Sequence, residues 1–135
     1  MIVHRFDAAS GVIEPEPFAQ WKAPGLELAG CDLCCFFPMT PSLLYRILVV
    51  DQGADSIPVF EFDGRSRKIT RVGDFAVGLD FPHGVDVAPD GRYVAITNYG
   101  DDTVRVLRVK LPFSGTLPIN PYQDLRTFPL CSTSQ

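Results

Sequence analysis

The strongest constraint on this chain is that part of it is written twice. RILVVDQGADSIPVFEF (Arg46–Phe62) lies over YVAITNYGDDTVRVLRV (Tyr93–Val109) without a gap. Gly53 falls on Gly100, Asp55 on Asp102, Ser56 on Thr103, Ile57 on Val104 and Val59 on Val106. A partial third copy opens the chain, where IVHRFD (Ile2–Asp7) lies over PVFEFD (Pro58–Asp63). In this triple register Phe6, Phe62 and Val109 are apolar, while Arg5, Glu61 and Arg108 are charged. Alternation at matched positions is what a strand with two different faces requires. SGVIEPEPF (Ser10–Phe18) and SGTLPINPY (Ser114–Tyr122) extend the likeness.

The repeated unit is built of strands. Helical periodicity is almost absent, and the short apolar runs are rich in Val, Ile and Phe and closed by Gly, Pro, Asp and Asn. SLLYRILVV (Ser42–Val50) starts like a helical turn, but its second half is β-branched and reads as a strand. Pro89-Asp-Gly91 fits a tight turn, with Pro fixing φ early and Gly closing it. Asn98-Tyr-Gly100 and Asp51-Gln-Gly53 fit the next turn, because Asn and Asp bond the turn backbone and Gly tolerates positive φ. Each unit then holds four antiparallel strands: a (His83–Ala88), b (Tyr93–Thr97), c (Thr103–Val109), and d, near Thr70–Val77 in the preceding copy.

Composition narrows the function classes. At 135 residues and 46% hydrophobic content the chain has the size and make-up of one globular domain. The net charge is −4, and the densest basic stretch, Arg65-Ser-Arg-Lys68 with Arg71, sits beside a Gly turn as a solvated loop would. A nucleic-acid partner is not expected, since phosphate contacts need a concentrated positive face. No segment approaches the roughly 20 apolar residues of a membrane span, and MIVHRFDAAS lacks a signal-peptide core. The expectation is a soluble, cytoplasmic chain with no membrane partner. Cys31, Cys34 and Cys35 cluster and Cys131 stands apart, unlike the even spread of a disulfide scaffold.

Four strands per unit at a period of about 40–50 residues is the mark of a propeller blade. FPHGVDVAPDGRYVAITNYGDDTVRVLRV (Phe81–Val109) resembles a blade of the YVTN-type, lactonase-like β-propellers. Those blades typically read P-x-G-(V/I/L)-x-(V/F)-(S/T)-P-D-G-(R/K)-(Y/F)-(L/V)-(Y/A)-V-(T/A)-N, then a Gly turn and T-V-x-V. NHL-repeat and gluconolactonase-like propellers share much of this grammar. The resemblance implies an all-β fold of antiparallel four-stranded blades in an incomplete, open ring. Residues 1–128 form the repeat segment: strands c and d of one blade at 1–24, a blade at 25–78 and another at 79–128. Residues 129–135 are expected to be a polar tail. Gly30-Cys-Asp-Leu33 is matched to Gly84-Val-Asp-Val87, which sets Ala29 opposite His83 and Asp32 opposite Asp86. Since lactonase-like propellers have seven blades, the expected partners are further blades or further copies of the chain.

Few residues carry chemistry. His83 stands before strand a, the innermost strand, where it could be a general base or a metal ligand, or merely cap the strand. Asp86 and Asp32 on that strand could bind a ligand or a cation through oxygen, or bond a neighbouring blade. Turn chemistry accounts for Asp55, Asp101 and Asp102. Cys31-x-x-Cys34-Cys35 lacks the second CxxC of a closed zinc site and the βα context of a redox pair, so packing between blades is expected. Trp21 reads as packing, and Tyr99 as a contributor to a binding surface. GxSxG, HExxH, Walker and GxGxxG motifs are absent. The expectation is a propeller segment that presents a binding surface for a small molecule or protein. The alternative implied by the resemblance is a 6-phosphogluconolactonase-like hydrolase that opens a sugar lactone. His83 would be its base, with Asp86 orienting that base or holding a cation. No cofactor is expected, a divalent cation being the one the carboxylates could take.

Overall fold

The computed structural model describes residues 1–22, 28–37, 43–110 and 122–129, and of Asp32 and Phe37 only the backbone. The expected tail from residue 130, Cys131 and the Ser114–Pro121 part of the second repeat match lie outside the described residues. The strands are β1 (Ile2–Val3), β2 (Phe6–Asp7), β3 (Val12–Ile13), β4 (Ala19–Gln20), β5 (Cys31–Phe37) and β6 (Leu44–Asp51). There follow β7 (Ser56–Asp63), β8 (Lys68–Val77), β9 (Pro82–Val87), β10 (Tyr93–Asn98), β11 (Thr103–Val109) and β12 (Tyr122–Pro129). Strands β5 to β8 form one four-stranded antiparallel meander, here blade II, and β9 to β12 a second, blade III. β1 pairs with β4 and β2 with β3, so blade I is an irregular hairpin that supplies a c and a d strand. SLLYRILVV is strand from Leu44 onward, and Pro129 closes β12 rather than opening a tail.

The three units stack face to face, and blade II is covered on both sides. Along β6, Ile47 and Val49 pack with Phe60, Phe62 and Ile69 against Met1, Val3, Phe18 and Trp21 of blade I. The alternate residues Leu48 and Val50 pack with Ile57, Val59 and Phe75 against Val85, Val94, Ile96 and Leu107 of blade III. A strand buried on both faces reads as a continuous apolar run, which is why ILVV lacks alternation. β10 has only one covered face, and YVAITN alternates accordingly: Val94 and Ile96 are buried, Ala95 and Thr97 half-buried. Trp21 stacks edge-on against Phe60, with ring centroids 4.8 Å apart, so it is packing as expected. Arg46, buried on β6, faces Glu61 across the ladder at 3.5 Å.

The sequence repeat is reproduced residue by residue in the hydrogen-bond register. Asp51 faces Ser56, Leu48 faces Val59 and Ile47 faces Phe60; their counterparts Asn98, Ala95 and Val94 face Thr103, Val106 and Leu107. The turns match too, since Asp55 (φ 48°) and Asp102 (φ 52°) are both left-handed, a conformation Asp tolerates by bonding locally. The turn at Asp51 is a single 3-10 turn, Gln52–Ala54. The third copy holds as well. Asp7 accepts from the Ala9 N–H (2.9 Å) and the Ser10 hydroxyl (2.5 Å); Asp63 accepts from the Arg65 N–H (2.8 Å) and the Ser66 hydroxyl (2.7 Å). In each case the hydroxyl first, and the N–H second, hold the carboxyl below its ordinary range. Phe6 nevertheless stays 63% exposed where Phe62 is 6% exposed, because no described sheet lies beyond blade I. The Pro89–Gly91 turn also forms as read, with the Gly91 N–H donating to Ala88 O (2.8 Å) and Gly91 at φ 69°.

Strand a corrects the alignment. Cys31 faces Asp51 and Phe36 faces Ile47, while Pro82 faces Asn98 and Val87 faces Val94. Cys31 therefore matches Pro82, and Asp32 matches His83 rather than Asp86, whose counterpart is Cys35. The Gly30–Gly84 match misled, because Gly30 belongs to the lead-in: its carbonyl accepts from Gln52 N (2.8 Å) as that of Phe81 accepts from Tyr99 N (3.0 Å). The same lead-in presses on Gly53, where a Cβ would lie 2.5 Å from the Ala29 carbonyl oxygen. Backbone cannot yield as a side-chain tip can. Gly53→Ala is expected to destabilise the fold by about 1–3 kcal/mol, measured as a lower urea midpoint at unchanged slope.

Candidate functional site

The candidate site is the rim where the lead-in to β9 meets the β10–β11 turn. Between β8 and β9 the chain runs through Leu79, Asp80 and Phe81. Phe81 has φ 47°, a left-handed conformation that a bulky residue adopts only when its surroundings impose it. Its N–H donates to Asp55 Oδ1 (2.9 Å) and its carbonyl accepts from Tyr99 N (3.0 Å). Held at both ends, the ring points to solvent and is 42% exposed. β9 then carries a bulge. Asn98 faces Pro82 and Thr97 faces Gly84, so His83 is the extra residue. Bulges re-aim side chains, and they concentrate beside functional sites.

The result is a cluster of three exposed rings. Ring centroids lie 5.4 Å apart for Phe81 and His83, 5.4 Å for His83 and Tyr99, and 6.1 Å for Phe81 and Tyr99. All three pairs are edge-on or tilted, the geometry aromatic quadrupoles favour. Tyr99 is 68% exposed. Carboxylates flank the cluster in sequence at Asp80, Asp101 and Asp102, all exposed. Such a surface offers apolar faces to a ring-shaped ligand and acceptors to its hydroxyls. The corresponding residues of blade II are Gly30, Asp32 and Gln52, so the ring cluster belongs to blade III alone. Sequence reading singled out His83 and Tyr99 but missed Phe81. Its signal was an aromatic residue where the repeat has Gly.

The other expected site residues are spread along the inner strands. Asp86 is exposed, and its Oδ1 accepts from the next residue's N–H, Val87, at 2.8 Å. β5 and β9 lie side by side, which brings Asp86 close enough to act on Cys35. Burial first, then the Asp86 and Cys34 charges, push the Cys35 thiol up to about 12. Cys31 is also raised, by burial and then by Asp51. Asp32 sits at the bulge of β5, at the level of His83. Cys31 and Cys34 are free thiols and line an apolar cavity with Met1, Leu28, Leu33 and Val49. Among the described residues no group of three or more His, Cys, Asp or Glu is placed to hold a metal ion, and no helix is long and apolar enough to cross a membrane.

A protein-family model described as lactonase, 7-bladed beta-propeller, matches residues 45–118. Those residues run from β6 through β11 and include the whole rim cluster. No curated protein and no solved structure matches the chain.

The cysteine geometry makes a chemical prediction. Cys35 is expected to be alkylated by iodoacetamide far more slowly than Cys34 at pH 8, because the thiolate is the reactive form and a pKa near 12 leaves almost none. Asp86→Asn removes a charge that raises this value, so the Cys35 rate should increase. Mass spectrometry of timed digests reads both rates.

Proposed function

Because the chain belongs to the lactonase family of seven-bladed β-propellers, we propose that its blade III rim is a binding surface for a ring-shaped, polyhydroxylated small molecule of the sugar-lactone class. The observation that carries this reading is the exposed Phe81–His83–Tyr99 cluster. Aromatic faces cover the apolar side of such a ring, and rim carboxylates accept from its hydroxyls. Binding by this route requires no cofactor. Titration of glucono-1,5-lactone into the chain should shift the Tyr99 ring resonances. Tyr99→Ala should weaken the affinity about three- to tenfold, and an unchanged affinity would overturn the reading.

Family membership also favours a second reading, in which the bound lactone is opened by water. His83 is then the general base. Its imidazole withdraws a proton from the attacking water, the carbonyl carbon becomes tetrahedral, and the ring C–O bond breaks as the proton passes to the departing alkoxide. The oxyanion needs donors or a cation, which further blades would supply; Asp86 is the one carboxylate that β9 itself offers to a cation. His83→Ala should slow hydrolysis by about a hundredfold or more in a pH-stat assay, with lactone affinity reduced far less. Equal rates in the two proteins would sink the catalytic role and leave the binding role standing.

A further inference from the structure

The charges of this chain are sorted by the ends of blades II and III. The rim end is built by the lead-ins and the b–c turns, residues 28–32, 51–56, 78–83 and 98–103. These segments carry Asp32, Asp51, Asp55, Asp80, Asp101 and Asp102, and neither Lys nor Arg. The opposite end is built by residues 63–68, 88–92 and 108–110. It carries Arg65, Arg67, Lys68, Arg92, Arg108 and Lys110 against Asp63 and Asp90. Arginines on the strands between face carboxylates: Arg46 with Glu61, Arg71 with Asp74 and Arg105 with Asp124. Lys22 follows β4, on the blade I side.

Three rim carboxylates are held around the ring cluster. Asp55 Oδ1 accepts the Phe81 N–H (2.9 Å). The Asp80 carbonyl accepts the Gly100 N–H (3.0 Å), and its carboxylate fills the space that a Cβ on Gly100 would take, next to Tyr99. Asp101 Oδ1 accepts the Thr103 hydroxyl (2.6 Å). In blade II it is Ala29 that lies over Gly53 as Asp80 lies over Gly100. The Asp80 carboxylate, like the three rings, therefore belongs to blade III and not to the repeat.

We propose that this rim takes an unphosphorylated sugar lactone and rejects the same lactone bearing a 6-phosphate, with Asp80 and Asp101 as specificity-determining residues. The inference rests on the lactone-binding reading above, and it separates the chain from the 6-phosphogluconolactonase-like activity that the resemblance implies. Sugar hydroxyls donate to carboxylates, so an uncharged lactone gains from these groups. A phosphate only accepts, and it meets like charge on segments that hold no Lys or Arg to pair with it. One carboxylate about a Debye length away, roughly 8 Å at physiological salt, repels it weakly, but several together amount to about a fivefold loss of affinity.

The test titrates freshly prepared glucono-1,5-lactone and its 6-phosphate into the 135-residue chain and follows the Tyr99 ring resonances at low and at physiological salt. The 6-phosphate is expected to bind at least about fivefold more weakly, and the difference should shrink as salt is added. Joint Asp80→Asn and Asp101→Asn substitution should strengthen 6-phosphate binding about threefold, with no gain for the uncharged lactone. Asp90→Asn, at the opposite end, should leave the difference as it was. A 6-phosphate that binds as tightly as the uncharged lactone, or more tightly, overturns the proposal. So does a difference that neither salt nor the joint substitution alters, since the exclusion is then steric. If neither lactone binds, the lactone reading itself fails and takes this inference with it.

Discussion

Everything in this structure depends on covering both faces of a four-stranded sheet. Blade II is apolar on both sides, so alone it would expose both faces. Blade II solves this with neighbours on either side, and its central strands are buried almost completely. Burial of this kind stabilises by about 25 cal/mol per Å² of apolar surface, far more than any single hydrogen bond in the chain contributes. The outer units show what happens without a neighbour. Phe6, Val12 and Ile13 of blade I and Leu125 and Phe128 of blade III stay exposed, although they stand in strands of the same make.

Packing sets the stacking of blades, but the turns set their alignment. Asp55, in the β6–β7 turn of one blade, ties down the lead-in of the next by accepting two backbone N–H groups, Leu79's on its carbonyl and Phe81's on its carboxylate. Phe81, whose N–H makes one of these bonds, is itself left-handed. Such backbone strain costs on the order of 1–3 kcal/mol, and the bonds to Asp55 and Tyr99 offset it. The contact that aligns blades thus also holds the residue whose ring points outward. Interblade adhesion and the candidate site share one residue's backbone.

Much of this was legible in the residues. The gapless match of Arg46–Phe62 to Tyr93–Val109 anticipated the register of both b–c hairpins, because identical turn chemistry at Gly53 and Gly100 pins identical pairing. The IVHRFD match aligned Asp7 with Asp63, and the structure carries the likeness into the turns beyond it, where Ser10 and Ser66 donate to these carboxylates. Strand a was misaligned, since a β-bulge in both β5 and β9 disrupts the alternation on which sequence matching relies, and Gly30 imitates Gly84. The ring cluster was only half legible. Phe81 and His83 are near Tyr99 through the meeting of a d–a connection with a b–c turn, a proximity that strand periodicity does not encode.

The departures from the repeat are where function is to be sought. Positions that hold the blade together recur: Gly53 and Gly100, Asp55 and Asp102, and the apolar residues of strands b and c. If the rim rings served packing, the repeat would preserve them as it preserves these, since both blades solve the same mechanical problem. Instead blade II has Gly30, Asp32 and Gln52 where blade III has Phe81, His83 and Tyr99, and on the inner strand Cys35 where blade III has Asp86. Local choices that break an otherwise consistent pattern mark functional or strained sites, and Phe81 is both strained and exposed. A rim that differs from blade to blade is also what a ring needs if it is to hold an asymmetric ligand in one orientation, because a repeated rim would offer each blade's copy equally.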